Sequence, residues 1–127
     1  MRTHLFGLLA SGALIAMSDP ALAHHSNAMF DLQNLIELEG VVQEYKFVSP
    51  HSFIVLQVKG ADGSITVWNL EGQTPSALVR EGWSRKTLKA GDELKLKIAP
   101  LRSGAPGGWW TTGGTTYRDG KPIEASQ

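Results

Sequence analysis

The chain has 127 residues, 12 basic and 12 acidic side chains, and no cysteine. An even charge balance argues against nucleic acid as the main partner, because neutralising phosphates requires a clustered excess of lysine and arginine. The absence of cysteine excludes disulfide bonds and thiolate metal ligands.

The N terminus has the pattern of a secretory signal peptide. Arg2 precedes an uncharged apolar run at residues 5–17, and Ala21 and Ala23 form a small-residue cleavage pair. The run is too short to cross a hydrocarbon core of about 30 Å as a helix, so an uncleaved anchor helix is the less favoured alternative. We expect cleavage after Ala23, with a cut after Ala28 as the alternative, and export to the periplasm or the medium without a membrane anchor.

Cleavage after Ala23 leaves 104 residues, the size of one domain. The sequence therefore divides into a signal peptide at residues 1–23, a mature N-terminal segment at residues 24–33 and one folded domain at residues 34–127. We find no repeats and no linker.

Strand patterns fill the first half of the folded domain. Residues 34–49 alternate apolar and polar side chains in two segments that change phase at Gly40. Ile36 and Leu38 share one face, and Val41, Tyr45 and Phe47 follow the opposite parity, which predicts a bulge or a sharp coil. Residues 52–59 and 65–72 read as two further strands, rich in β-branched and aromatic side chains. Asp62 and Gly63 lie between them and predict a hairpin turn.

A helix follows these three strands. Thr74 is suited to the N-cap, Pro75 to the first helical position, and Gly82 to the left-handed residue that ends a helix.

The remaining chain returns to strand patterns. Residues 93–100 alternate cleanly and predict a strand with its leucines and isoleucine inward and its lysines outward. Residues 101–108 read as a loop. Residues 109–123 fit either one last strand or a hairpin closed at Asp119 and Gly120.

This order of three strands, one helix and two strands predicts an all-β protein with one short helix. The same order of elements occurs in small five-stranded barrels of the oligonucleotide/oligosaccharide-binding (OB) type, in which the helix closes one end of a curled sheet. A small sandwich is the alternative.

Five motifs carry a resemblance to a family. They are "AHHSNAMFD" at residues 23–31, "PHS" at 50–52, "EGQTPSAL" at 71–78, "GW" at 82–83, and "LKAGD" with "PLRSGAPGG" between 88 and 108. The chain resembles a domain-of-unknown-function family of small exported proteobacterial proteins. The resemblance covers nearly all of the mature chain and implies no particular activity.

Three histidines remain after cleavage and suggest a metal site. His24 would become the N-terminal residue, whose α-amine and imidazole Nδ1 can chelate one metal ion together. The imidazole of His51 would complete the three-nitrogen arrangement known as a histidine brace, which suits Cu(II). The α-amine has a reference pKa of about 7.7–8.0, so a metal ion can displace its proton near neutral pH. His25 offers a second option, a planar site built from the α-amine, its own backbone nitrogen and its imidazole.

Asp31 and Glu71 are weaker candidate ligands, and Arg102 is a candidate ion-pair partner for Glu71. The competing interpretation is that His24 and His25 are exposed, flexible residues and that His51 only bonds neighbouring groups. We therefore expect a periplasmic copper-binding protein first, and a non-catalytic OB-type module for a small ligand, peptide or periplasmic protein partner second.

Trp109 and Trp110 are the candidate ligand or partner surface in the second interpretation. Adjacent strand residues face opposite sides of a sheet, so no more than one of the two enters the core. No nucleophile with an oriented base and no carboxylate pair stands out, which makes an enzyme the least favoured class.

Overall fold

A computed structural model describes residues 27–112 and 117–123 of the chain. The predicted signal peptide, the cleavage site at Ala23 and the candidate ligands His24 and His25 lie outside these residues. Within the described ranges, no helix is long and apolar enough to cross a membrane.

The described chain consists of strands with one short α-helix. The elements, in chain order, are a 3-10 turn at Asn27–Met29, β1 (Ile36–Lys46), β2 (Phe53–Lys59), β3 (Ile65–Glu71), α1 (Pro75–Arg80), β4 (Glu93–Pro100), β5 (Gly107–Trp110), β6 (Tyr117–Arg118) and β7 (Lys121–Pro122).

Five of these strands close into a barrel. The neighbours follow the order β1-β2-β3-β5-β4, and β4 returns to pair with β1. All of these pairings are antiparallel except the short parallel pairing of β3 with β5. The predicted fold class, an OB-like barrel with a helix between the third and fourth strands, is confirmed.

The long strand β1 belongs to both sides of the barrel and must coil between them. Its first half pairs with β4 and its second half with β2. Gly40 lies close to the crossing, where a Cβ atom would lie 2.3 Å from the Gln57 carbonyl oxygen. The bulge predicted in this strand is confirmed, but its predicted position at Gly40 is wrong, because the register shift lies between Val42 and Glu44, and Val42 rather than Val41 faces the core.

Alternation along the strands builds the core. As predicted, the apolar residues of β4 point inward while its lysines do not. The helix α1 covers one end of the barrel with Leu78, which is completely buried. Its ends follow the predicted chemistry, since Thr74 accepts a hydrogen bond from the Ala77 N–H at 3.2 Å and Gly82 has a φ of +83°. The fully buried apolar side chains include Val42, Ile54, Leu56, Leu70, Leu78, Leu94, Leu96, Ile98 and Trp110.

Of the two alternatives predicted for residues 109–123, the structure has the hairpin. The strand β5 begins at Gly107 rather than at Trp109, and the hairpin β6–β7 turns at Asp119 and Gly120, which both have positive φ angles. A single last strand is therefore wrong and the hairpin is confirmed. The hairpin packs on the edge of β4, where the Asp119 carboxylate accepts a hydrogen bond from the Glu93 N–H at 3.0 Å.

Candidate functional site

Residues 27–31 precede the barrel strands and lie against the barrel surface; we call them the N-terminal arm. Phe30 forms an isolated β-bridge with Leu101 and is only 3% exposed. The Asp31 N–H donates to the Pro100 carbonyl at 2.8 Å, and the Arg102 N–H donates to the Met29 carbonyl at 2.9 Å. The arm is thus held by the chain that leaves β4.

The Arg102 side chain also contacts the arm. Its Nε donates to the Ala28 carbonyl at 3.2 Å, and its guanidinium lies 3.7 Å from the Asp31 carboxylate. The Asn34 side-chain amide donates to Asp31 at 2.9 Å, and this hydrogen bond, ahead of the attraction to Arg102, holds the pKa of Asp31 below its usual range. The pairing of Arg102 with Glu71 suggested by the sequence is wrong, because each has another partner.

His51 lies in the loop between β1 and β2 and bonds to Glu71. Its Nδ1 is in hydrogen-bond contact with Oε1 of Glu71, the last residue of β3. The neighbouring residue Ser52 fixes this loop, since its N–H donates to the Gln73 carbonyl at 3.0 Å and its own carbonyl accepts from the Gly72 N–H at 2.8 Å. The His51 and Glu71 side chains are 25% and 14% exposed, so the pair is partly shielded from water.

Trp109 joins this pair to the arm. It lies directly beside Glu71 in the parallel pairing of β5 with β3. The His51 ring meets the Trp109 ring edge-on, with centroids 5.6 Å apart and planes at 90°, and the Phe30 ring lies 5.8 Å from Trp109. His51, Glu71, Trp109 and the arm therefore form one continuous patch, which is the candidate functional site.

The two tryptophans of β5 face opposite sides, as their adjacency predicts. Trp110 is completely buried and packs on Trp83 inside the barrel, with ring centroids 5.2 Å apart. Trp110 therefore cannot belong to a ligand or partner surface, and of the two only Trp109 reaches the outer face. The sequence pattern did not indicate Phe30, and it indicated Arg102 only as a partner of Glu71.

The described residues alone do not complete a metal centre. Within residues 27–112 and 117–123, no group of three or more His, Cys, Asp or Glu side chains is placed to hold a metal ion. The structure brings Glu71 to His51, whereas Asp31 is engaged with Arg102 and Asn34. A brace at His51 needs nitrogen atoms from His24.

The patch lies where OB barrels bind their ligands. In that fold the loops between strands one and two and between strands four and five flank the binding face. Here the first of these loops carries His51, and the second carries Arg102, which holds the arm.

Comparison with known proteins gives a family and a fold. The model of a family of unknown function (DUF6152) matches residues 12–110. No match was found among curated proteins. Among solved structures, the crystal structure of a mitochondrial single-stranded DNA-binding protein from S. cerevisiae, Rim1, is similar with a TM-score of 0.51 at 7% identity, covering 69% of this chain and 95% of the other. At this identity the likeness supports the barrel fold alone.

Proposed function

The chain belongs to this family of unknown function, DUF6152, and from the geometry of its site we propose that the protein is a periplasmic copper-binding protein. In this proposal signal peptidase cuts after Ala23. The new N-terminal His24 then binds one copper ion through its α-amine and imidazole, and His51 supplies the third nitrogen. His25 contributes from the adjacent position.

The observation that carries the proposal is the hydrogen bond between His51 and Glu71. A histidine that binds a metal commonly donates its other ring N–H to a carboxylate, which fixes the tautomer and orients the ring. With Nδ1 held by Glu71, the nitrogen directed away from that carboxylate is Nε2, the atom a metal ion would use. Glu71 then orients the ligand and partly neutralises the charge of the ion, rather than binding it directly.

The N-terminal arm supports the same proposal by its position. Six Cα–Cα steps join His24 to Phe30. The first three can span roughly 10 Å if they are extended, and the 3-10 turn at Asn27–Met29 adds about 2 Å per residue. The Phe30 and His51 rings both contact Trp109, at centroid distances of 5.8 and 5.6 Å. The Phe30 and His51 rings are therefore closer together than the distance that residues 24–30 can span. His24 can thus reach His51 without a rearrangement of the barrel.

The test is a calorimetric titration of Cu(II) into exported protein whose N terminus has been identified. Protein that begins at His24 should bind one copper ion tightly, and the same protein with its N-terminal α-amine acetylated should bind much more weakly, because the amine nitrogen is then lost from the chelate ring. Equal affinities of the two forms would contradict the brace.

Two variants separate the brace from the site built on His25. His51→Ala should weaken binding strongly if the brace forms, and should change nothing if the ligands all come from the first two mature residues. His25→Ala should abolish binding if the ligands all come from the first two mature residues, and should weaken it only slightly if the brace forms. Glu71→Gln should weaken binding about 10–100-fold, as expected of a group that orients a ligand.

A ligand-binding OB module is the second candidate, and the half-exposed Trp109 favours it. Its ring lies on the outer face between the two loops that flank the binding face of this fold. In this case Trp109→Ala should abolish binding of a small ligand, peptide or partner protein, while His51→Ala should leave it nearly unchanged. Trp110 cannot serve in this test because it belongs to the core.

A further inference from the structure

The first half of β3 has an open edge on the side away from β2. The strand β5 pairs only with the last three residues of β3, from Asn69 to Glu71. The residues before Asn69 continue along β2 as a protruding hairpin, and Ile65, Thr66 and Val67 are all exposed.

The hydrogen bonds show which backbone groups point to that edge. The Asn69 N–H donates to the Pro106 carbonyl, away from β2, whereas Gly72 N–H donates to the Ser52 carbonyl and Gly60 N–H donates to the Ser64 carbonyl, across the hairpin. Along an antiparallel strand the backbone N–H and C=O groups of successive residues point alternately to the two sides. The N–H and C=O groups of Ile65 and Val67 therefore point to the same side as those of Asn69, away from β2. Among the described residues, no hydrogen-bond partner faces their N–H and C=O groups on the open side.

The side chains at this edge are those that favour strand association. Ile65 is 55% exposed and Val67 is 40% exposed. Exposed strand edges are usually protected by lysine, proline, a bulge or a covering element, because unpaired edges template pairing with another chain. Residues 65–68 carry neither lysine nor proline, and their pairing with β2 has no bulge.

We propose that this edge joins two copies of the chain through antiparallel pairing of β3 with β3 of the second copy, an interaction that goes beyond the proposed copper site. The edge is self-complementary. With a two-fold axis beside Thr66, Ile65 lies opposite Val67 of the second copy and exchanges both of its backbone hydrogen bonds with it. The same exchange on the other side of the axis gives four hydrogen bonds in all.

The side chains fit this arrangement as well. Each Ile65 then packs beside a Val67 on the outer face, and cross-strand pairs of β-branched residues stabilise sheets. Pairing about this axis needs two residues on each strand whose backbone groups point to the open side, and Ile65 and Val67 provide them. The pairing of β3 with β5 begins at Asn69 and Gly107, so the open edge ends before Asn69.

The test measures the mass of the purified protein by sedimentation velocity over a wide concentration range, together with amide hydrogen exchange. The wild type should shift from monomer to dimer. At high concentration the Ile65 and Val67 amides should become protected, while the Thr66 and Trp68 amides, which face β2, should be protected at every concentration and serve as an internal control.

Variants identify the edge. Ile65→Lys and Val67→Lys should each weaken dimerisation at least about tenfold, which corresponds to about 1.4 kcal/mol. Val41→Lys is the matched control, because Val41 has the same 40% exposure as Val67 and lies on the same outer face, but two strands from the edge. Circular dichroism should show all variants folded.

Three results would overturn the proposal. They are a wild type that remains monomeric at all concentrations, a dimer that Val41→Lys weakens as much as Val67→Lys, and edge amides protected by a copurifying peptide independently of protein concentration. The protection pattern in the wild type decides the matter even if one of the variants does not fold.

Discussion

Asp92 is a buried carboxylate at the turn before β4, with 2% exposure. The Lys89 ammonium donates to it at 2.6 Å and the Lys89 N–H donates at 3.0 Å. Burial opposes the charged form, but the hydrogen bonds from Lys89 and the charges of Lys89 and Arg118 outweigh it, so the pKa of Asp92 lies below its usual value of 3.8. The ionised carboxylate therefore stabilises the fold.

Asp92→Asn should lower the free energy of unfolding by about 1–3 kcal/mol at neutral pH, because the charge-assisted hydrogen bonds are lost. The folded-state pKa is depressed, so this contribution is present above the unfolded-state pKa of about 3.9 and is lost as the pH falls through the folded value. Urea unfolding of both proteins at several pH values should show the difference between them narrowing below about pH 4. A difference that does not change with pH would contradict this role.

Gly72 lies directly against the indole of Trp110 in the core. A Cβ atom here would lie 2.4 Å from Cε2 and 2.5 Å from Nε1 of Trp110, a rigid ring in the core. Gly72→Ala should therefore destabilise the protein by about 1–3 kcal/mol in urea unfolding. The loss should be smaller in a Trp110→Phe background, where the ring is smaller. Equal losses in the two backgrounds would show that the indole is not the obstacle.

The helix α1 has one buried residue, Leu78, which attaches the helix to the barrel. Leu78 is completely buried at the barrel end, while its neighbour Val79 is 58% exposed. Leu78→Ala should cost about 2–5 kcal/mol of unfolding free energy because it leaves a cavity. Val79→Ala, the matched control on the same helix, should change stability by no more than about 0.5 kcal/mol. Similar effects of the two changes would mean that the helix does not close the barrel through this face.

Elements specified by local chemistry could be predicted from the sequence. The N-cap at Thr74, the glycine at 82 and the turn at residues 62–63 each depend on neighbours a few positions away. The bulge in β1 could not be placed correctly, because Val41 and Val42 are both apolar and periodicity alone does not decide which one faces the core. Pairing with β2 and β4 makes that choice.

For the whole molecule, the pairings that build the site are distant in sequence and carry no local signal. His51 and Glu71 are 20 positions apart and meet because β2 and β3 form a hairpin. Trp109 reaches Glu71 only through the parallel pairing of β5 with β3. The sequence therefore indicated His51 as a candidate, but it could not show that Glu71 would orient it or that Phe30 would place the arm beside Trp109.

The most direct test of the copper site is native mass spectrometry of protein exported and processed by a bacterial host supplied with copper. We expect a chain of 104 residues that begins at His24 and carries one copper ion, and a His51→Ala protein with the same N terminus and no copper. A different N terminus, or a chain that begins at His24 and remains free of copper, would contradict this expectation.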